Sequence, residues 1–158
     1  MYTDIEINEL IKCPKKVIDH PRDIGINRGS SKKIFTMESS NRQYYFTGFI
    51  TQNRFFQENF SVGLIYVPKD VKGKFCLIRC NGLHGEVKEI PHHSFFHIHQ
   101  TKAIDINNGI KVEKHIEKTE EYSTLEGAIQ FFINHINIIP EHCSKFFPPP
   151  SGQIEFEF

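Results

Sequence analysis

Ser123-Thr124-Leu125-Glu126-Gly127-Ala128-Ile129-Gln130-Phe131-Phe132-Ile133-Asn134-His135-Ile136-Asn137 is the stretch that decides the fold. Leu125, Ala128, Ile129, Phe132, Ile133 and Ile136 recur at helical spacing and make one apolar stripe. Ser123 with Glu126 reads as a capping box that opens a helix over residues 124–137. Such a stripe must cover a surface, and the segments upstream supply a sheet. Residues 32–38 and 42–50 flank Ser39-Ser40-Asn41 and read as a hairpin, with Ile34, Phe35, Tyr44, Tyr45, Phe46 and Phe49 suited to strands. Residues 60–67 and 74–80 read as a second pair, followed by a turn at Asn81-Gly82. Residues 95–100 give another strand and 109–115 a further one. Near the start, Thr3 or Asp4 caps a segment with Ile7, Leu10 and Ile11 at helical spacing, interrupted by Pro14. The fold class is therefore α+β: an antiparallel β-sheet packed against a C-terminal helix, with a short N-terminal helix.

A length of 158 residues suits one domain, 1–158, and 39% hydrophobic content suits a packed core rather than a disordered chain. With 15 Phe and no Trp, phenylalanines should dominate that core, with Phe96, Ile98, Ile129, Phe132 and Ile133 deeply buried together. No charged segment followed by an apolar one opens the chain, and no apolar run approaches a membrane span. The expectation is a cytoplasmic protein with no membrane partner. Cys13, Cys76, Cys80 and Cys143 show no disulfide framework and read as reduced thiols, with Cys76 and Cys80 on one strand face. Residues 148–158 read as a Pro-rich spacer, Pro148-Pro149-Pro150, and an extended tail. Ile154, Phe156 and Phe158 alternate there with Glu155 and Glu157, so the tail should dock on a sheet edge, its own or that of a second copy in a homodimer.

Net charge is zero, but it is split. Residues 1–80 carry 13 Lys/Arg and 8 Asp/Glu, a balance of +5; residues 81–158 carry 6 and 11, a balance of −5. Residues 12–33, with Gly25, Gly29 and Pro21, read as a basic loop. Lys12, Lys15, Lys16, Arg22, Arg28, Lys32 and Lys33 are its candidates for holding a nucleic-acid backbone. The alternative is that both halves contribute to one mixed surface.

The chemically unusual feature is a histidine cluster. His84, His92, His93, His97 and His99 fall within sixteen residues. In a strand His97 and His99 share one face, roughly 7 Å apart, with Phe96 and Ile98 on the other, beneath the helix. Three readings stay open. The face is exposed and merely His-rich. Or it cleaves phosphodiesters, one histidine taking a proton from a ribose 2′-hydroxyl, the other protonating the leaving oxygen, and Arg79 holding the phosphate. Or it binds a divalent metal such as zinc through His97, His99 and either His84 or Cys80. No Gly-rich phosphate loop, nucleophile elbow or paired-carboxylate motif is present.

Leu77-Ile78-Arg79-Cys80-Asn81-Gly82-Leu83-His84, followed by Pro91-His92-His93 and His97-Ile98-His99, resembles the TumE-type toxin family of bacterial toxin–antitoxin systems and a related prophage family. Arg79 matches the arginine of those families; Asn81 stands where an acid is usual. Leu10-Ile11-Lys12-Cys13-Pro14-Lys15-Lys16 is similar to the opening of the prophage family. The resemblance implies a growth-inhibiting protein with a cognate antitoxin. Joined to the residue chemistry it gives a metal-independent endoribonuclease without cofactor, with His97 and His99 as acid and base and Arg79 and His84 as phosphate contacts. The competing class is a non-enzymatic protein-binding module, a phage-encoded inhibitor or defence-complex subunit, for which the alternating tail is the sequence support.

Overall fold

The structure, a computed structural model, describes residues 1–69, 73–83, 95–110 and 113–150. Helix α1 (Asp4–Lys12) is followed by β1 (Lys15–Asn27), β2 (Ser30–Ser39), β3 (Tyr45–Asn53), β4 (Phe60–Val67), β5 (Phe75–Asn81) and β6 (His97–Gln100). Then come α2 (Ala103–Asn107), β7 (His115–Lys118), α3 (Leu125–His135) and α4 (Pro140–Phe146). Among the described residues seven strands form one sheet in sequence order, each antiparallel to the next. The α+β fold, with its short N-terminal helix and C-terminal helices against an antiparallel sheet, is as the sequence implies. No described helix is long and apolar enough to cross a membrane.

Local chemistry explains the elements. The Thr3 side chain caps α1 by accepting the Glu6 N–H, and α1 buries Ile7, Leu10 and Ile11. At the other end of the chain it is the Thr124 hydroxyl that accepts the Gly127 N–H, so α3 is capped one residue later than the Ser123–Glu126 box predicts. The stripe otherwise holds: Ala128, Phe132, Ile133 and Ile136 are buried, while Leu125 and Ile129 are half-buried at its border. Phe35, Phe46, Phe60, Phe75, Phe132 and Phe147 line the core. Phe96 and Ile98, expected deep, pack against it half-buried, because β6 lies near the β7 end of the sheet and α3 covers only one side of them. Gly48 is obligatory: a Cβ there would overlap the Phe35 ring.

Three segments differ from their sequence reading. Residues 12–33 are not a loop but the end of α1 and most of a long hairpin, β1–β2. Pro21 and Gly25 resemble loop punctuation, but β1 is an edge strand, where the register shifts between Asp19 and Arg22 and between Asp23 and Ile26 absorb them. The hairpin closes through Arg28 and Gly29, both at positive φ (53° and 80°), the conformation a two-residue turn requires. Of the expected strand at 109–115, Gly109 ends the turn after α2 and Ile110, Glu113 and Lys114 are not in a strand; the strand there begins at His115, and residues 111–112 lie outside the described residues. Asn81 is still in β5, paired with both Ser61 and His97, and Gly82 and Leu83 go on bonding to Phe60 and Glu58 carbonyls, so no tight turn forms there. The tail at 151–158, with Ile154, Phe156 and Phe158, lies outside the described residues.

Lys15 ties the helices to the sheet. It is 0% exposed. Its ammonium donates to the carbonyls of Ile11 (2.7 Å), Cys13 (2.9 Å) and Ile136 (2.7 Å) and lies 4.8 Å from the centre of the Phe46 ring. Those carbonyls belong to the C-terminal ends of α1 and α3, where helix dipoles favour a cation. The Lys15 backbone also bridges to the residues after α3, its N–H donating to Asn137 and its carbonyl accepting from Ile139, both at 3.0 Å.

Candidate functional site

Strand alternation sends Phe96 and Ile98 toward α3 and His97 and His99 to the opposite face of β6. Phe96 meets the Phe60 and Tyr122 rings at 6.1 and 6.0 Å, on the α3 side. On the other side the His97 and His99 rings sit 4.8 Å apart at 67°. In the β5–β6 register His99 pairs with Arg79 and His97 with Asn81. The sheet therefore brings together His97, His99 and Arg79, as expected. It does not expose them: His97 is 0% and His99 7% accessible, so the reading of an exposed His-rich face is wrong.

The imidazoles are held in one tautomer. His97 Nδ1 lies 2.8 Å from the Phe95 carbonyl, and His99 Nδ1 3.2 Å from the Glu113 carbonyl. A carbonyl only accepts, so each Nδ1 carries a proton and donates it. Arg79 donates through one terminal nitrogen to Glu113 Oε1 at 2.7 Å, with side-chain exposures of 31% and 6%. Its Nε is buried with no hydrogen-bond partner among the described residues. Cys76 belongs to the same cluster: burial first, then the Glu113 carboxylate, push its thiol up to about 12. Cys80 faces the core with Val62 instead, because a bulge between Leu64 and Ile65 shifts the register, so the two cysteines do not share a face. Burial likewise pushes the Cys80 thiol up to about 12.

Asn81, which takes the place of an acid, is a strut. Ser61 Oγ donates to its Oδ1 at 2.7 Å, and the Tyr122 hydroxyl reaches the carbonyls of Asn81 and His97, both at 2.9 Å. Burial raises the Tyr122 hydroxyl pKa, which keeps it a donor. The expected companions His84, His92 and His93 lie outside the described residues. Among the described residues no three His, Cys, Asp or Glu side chains gather as a metal site, and Cys80 points away from His97 and His99.

The basic candidates are divided. Lys12, Lys16, Arg22, Arg28, Lys32 and Lys33 are exposed. Lys15 is not a surface cation, since its ammonium is enclosed by carbonyls, and it leaves the nucleic-acid set. Alternation along β2 separates Lys32, which lies over the Phe49 ring, from Lys33, which lines a hollow with Phe146 and Phe147 on the helix side. The sequence reading also missed Glu113, 34 residues beyond its partner Arg79, and His135. Burial first, then Lys12 and Lys15, lower the His135 pKa; its Nδ1 is 3.2 Å from Lys12 Nζ and its ring stacks on Phe131. His135, Phe131 and Ile98 line an open cleft of about 640 Å³ beside Glu117, Glu120 and Glu121. The chain matches no family model, no curated protein and no solved structure.

Proposed function

We propose that this chain is a toxin-like protein that cleaves RNA without a metal, with His97 and His99 as the proton-transfer pair and Arg79 as the phosphate contact. The observation that carries the reading is the direct pairing of Arg79 with His99, with the His97 ring 4.8 Å from that of His99. Both histidines are oriented by donating Nδ1–H to backbone carbonyls, at 2.8 Å for His97 and 3.2 Å for His99. In the reaction the ribose 2′-oxygen attacks phosphorus and its proton passes to one Nε2. The bond to the 5′-oxygen breaks, and that oxygen takes a proton from the other, protonated imidazole. The products are a 2′,3′-cyclic phosphate and a 5′-hydroxyl. Arg79 would bind the non-bridging oxygens while Glu113 holds it in place. A cognate antitoxin is the protein partner this reading requires.

Incubating the purified protein with total RNA in a chelator tests it. Fragments with cyclic-phosphate ends are expected, and His97→Gln/His99→Gln, shown by circular dichroism to remain folded at the assay temperature, should abolish them. Intact RNA, or cleavage that needs added metal, overturns the proposal. One observation favours the second reading, a non-enzymatic protein-binding module. With His97 fully buried, β7 is an edge strand among the described residues, exposed along its whole length, which suits pairing with a partner's strand.

A further inference from the structure

We infer that the tip built from the β1–β2 turn and the β3–β4 loop is a stacking platform for single-stranded nucleic acid, with Phe55 and Phe56 receiving bases and Arg28 and Arg54 their phosphates. The two phenylalanines are 79% and 57% exposed. They are not on a slack loop. The N–H groups of Phe55 and Phe56 both donate to the Asn53 side-chain oxygen, at 2.8 and 3.0 Å. Asn59 N–H closes back on the Phe56 carbonyl at 2.9 Å, and Gln52 Nε2 on the Gln57 carbonyl at 3.0 Å. Arg54 N–H donates to the Gly29 carbonyl at 2.9 Å, which fastens the loop to the neighbouring turn. Phe55 leans over that turn: a Cβ added at Gly29 would sit 3.8 Å from its ring.

Two rings held in water by a braced backbone gain nothing inside the chain from their exposure, and such a display is the geometry of a recognition surface. Its electrostatics choose the partner. Arg28 and Arg54, both exposed, stand in the turn and the loop beside the rings, with Lys16, Arg22, Lys32 and Lys33 exposed along the same hairpin, against Asp19, Asp23 and Glu38 in the hairpin and Glu58 in the loop. Exposed aromatic faces among arginines are what successive bases and their phosphates meet in sequence-tolerant single-strand binding. The tip shares no residue with the histidine cluster, so the inference stands whether or not His97 and His99 cleave anything.

The chain lacks tryptophan, which makes the test direct. Phe55→Trp installs one reporter, and titration with an oligothymidylate, which carries no 2′-hydroxyl and cannot be cleaved by the chemistry above, should quench its fluorescence. By anisotropy with a labelled oligothymidylate, Phe55→Ala/Phe56→Ala should weaken binding about tenfold for each ring. Arg28→Ala/Arg54→Ala should make the log Kd against log salt line shallower by about 1.4. The proposal is overturned by an absence of binding, by equal binding of the phenylalanine variant, or by a salt slope unchanged without the arginines. Phe55-dependent flotation with phosphatidylserine vesicles in place of oligonucleotide binding would also overturn it. Because both rings are exposed, the alanine variant should keep the wild-type thermal midpoint, and the arginine variant reads the same surface through a different observable.

Discussion

Lys15→Met removes an ammonium that solvent does not reach and keeps a side chain of similar length. Two terms oppose each other. Burial lowers the Lys15 pKa to about 8, so carrying the charge costs the folded state roughly 3 kcal/mol at neutral pH, which the methionine would relieve. Against this, the carbonyls of Ile11, Cys13 and Ile136 lose their donor at once. Each orphaned buried acceptor costs about 1–3 kcal/mol, on the order of 6 for the set. The expected result is a loss of about 3 kcal/mol, seen as a fall of roughly 6–12 °C in Tm by circular dichroism. The pH dependence has a definite sign. Below about pH 8 Lys15 is protonated whether folded or not. Between there and the ordinary value of 10.5 the unfolded chain holds the extra proton, so this group adds stability as pH rises. The gap between wild type and Lys15→Met should therefore widen from pH 8 upward. A variant as stable as wild type at pH 7 would refute the view that the ammonium satisfies the helix ends. A gap that narrows above pH 8 would refute the balance of burial against hydrogen bonding.

Phe132, 0% exposed at the centre of α3, should lose about 3–5 kcal/mol on truncation to Ala, measured by urea unfolding; an unchanged midpoint would mean that α3 is rotated. Gly48→Ala pushes a methyl into the Phe35 ring and should cost at least about 1–3 kcal/mol, whereas Gly109→Ala, at φ 79° with no neighbour within 4 Å, pays only backbone strain of about 1 kcal/mol. Comparing the two melting curves separates crowding from strain. Tyr122→Phe removes the donor shared by the Asn81 and His97 carbonyls and should cost about 1–2 kcal/mol; if stability is unchanged, the strut between β5 and β6 is carried by the backbone ladder alone.

Elements whose burial is decided by their own periodicity were legible. The α3 stripe and the alternation of His97 and His99 against Phe96 and Ile98 follow from spacing alone. What the spacing does not carry is the cover: the histidines are buried and Phe96 half-open, because burial depends on segments far away in sequence. β1 was hidden by Pro21 and Gly25, which mean loop in a central strand but are tolerated at an edge. Glu113 was hidden by distance, with no pattern linking it to Arg79. Lys15 carried a faint signal, since it shares strand phase with the buried Val17, but a lysine beside Lys16 reads as solvated. Asn81 braces Ser61 and β6, a role that nothing in its sequence neighbourhood announces.

The sequence-ordered sheet has a consequence for synthesis. Each strand finds its partner in the segment made just before or just after it, so hairpins can zip together while translation continues, with short loops to close from β1 to β5 and longer connections only to β6 and β7. The exception is the start of β1, where the Lys15 backbone and ammonium wait for residues 136–139 and the Val17 N–H for His142. An early strand is thus left unfinished until nearly the last helix has appeared, and a ribosome-stalled chain ending before residue 136 should carry the sheet without its clasp.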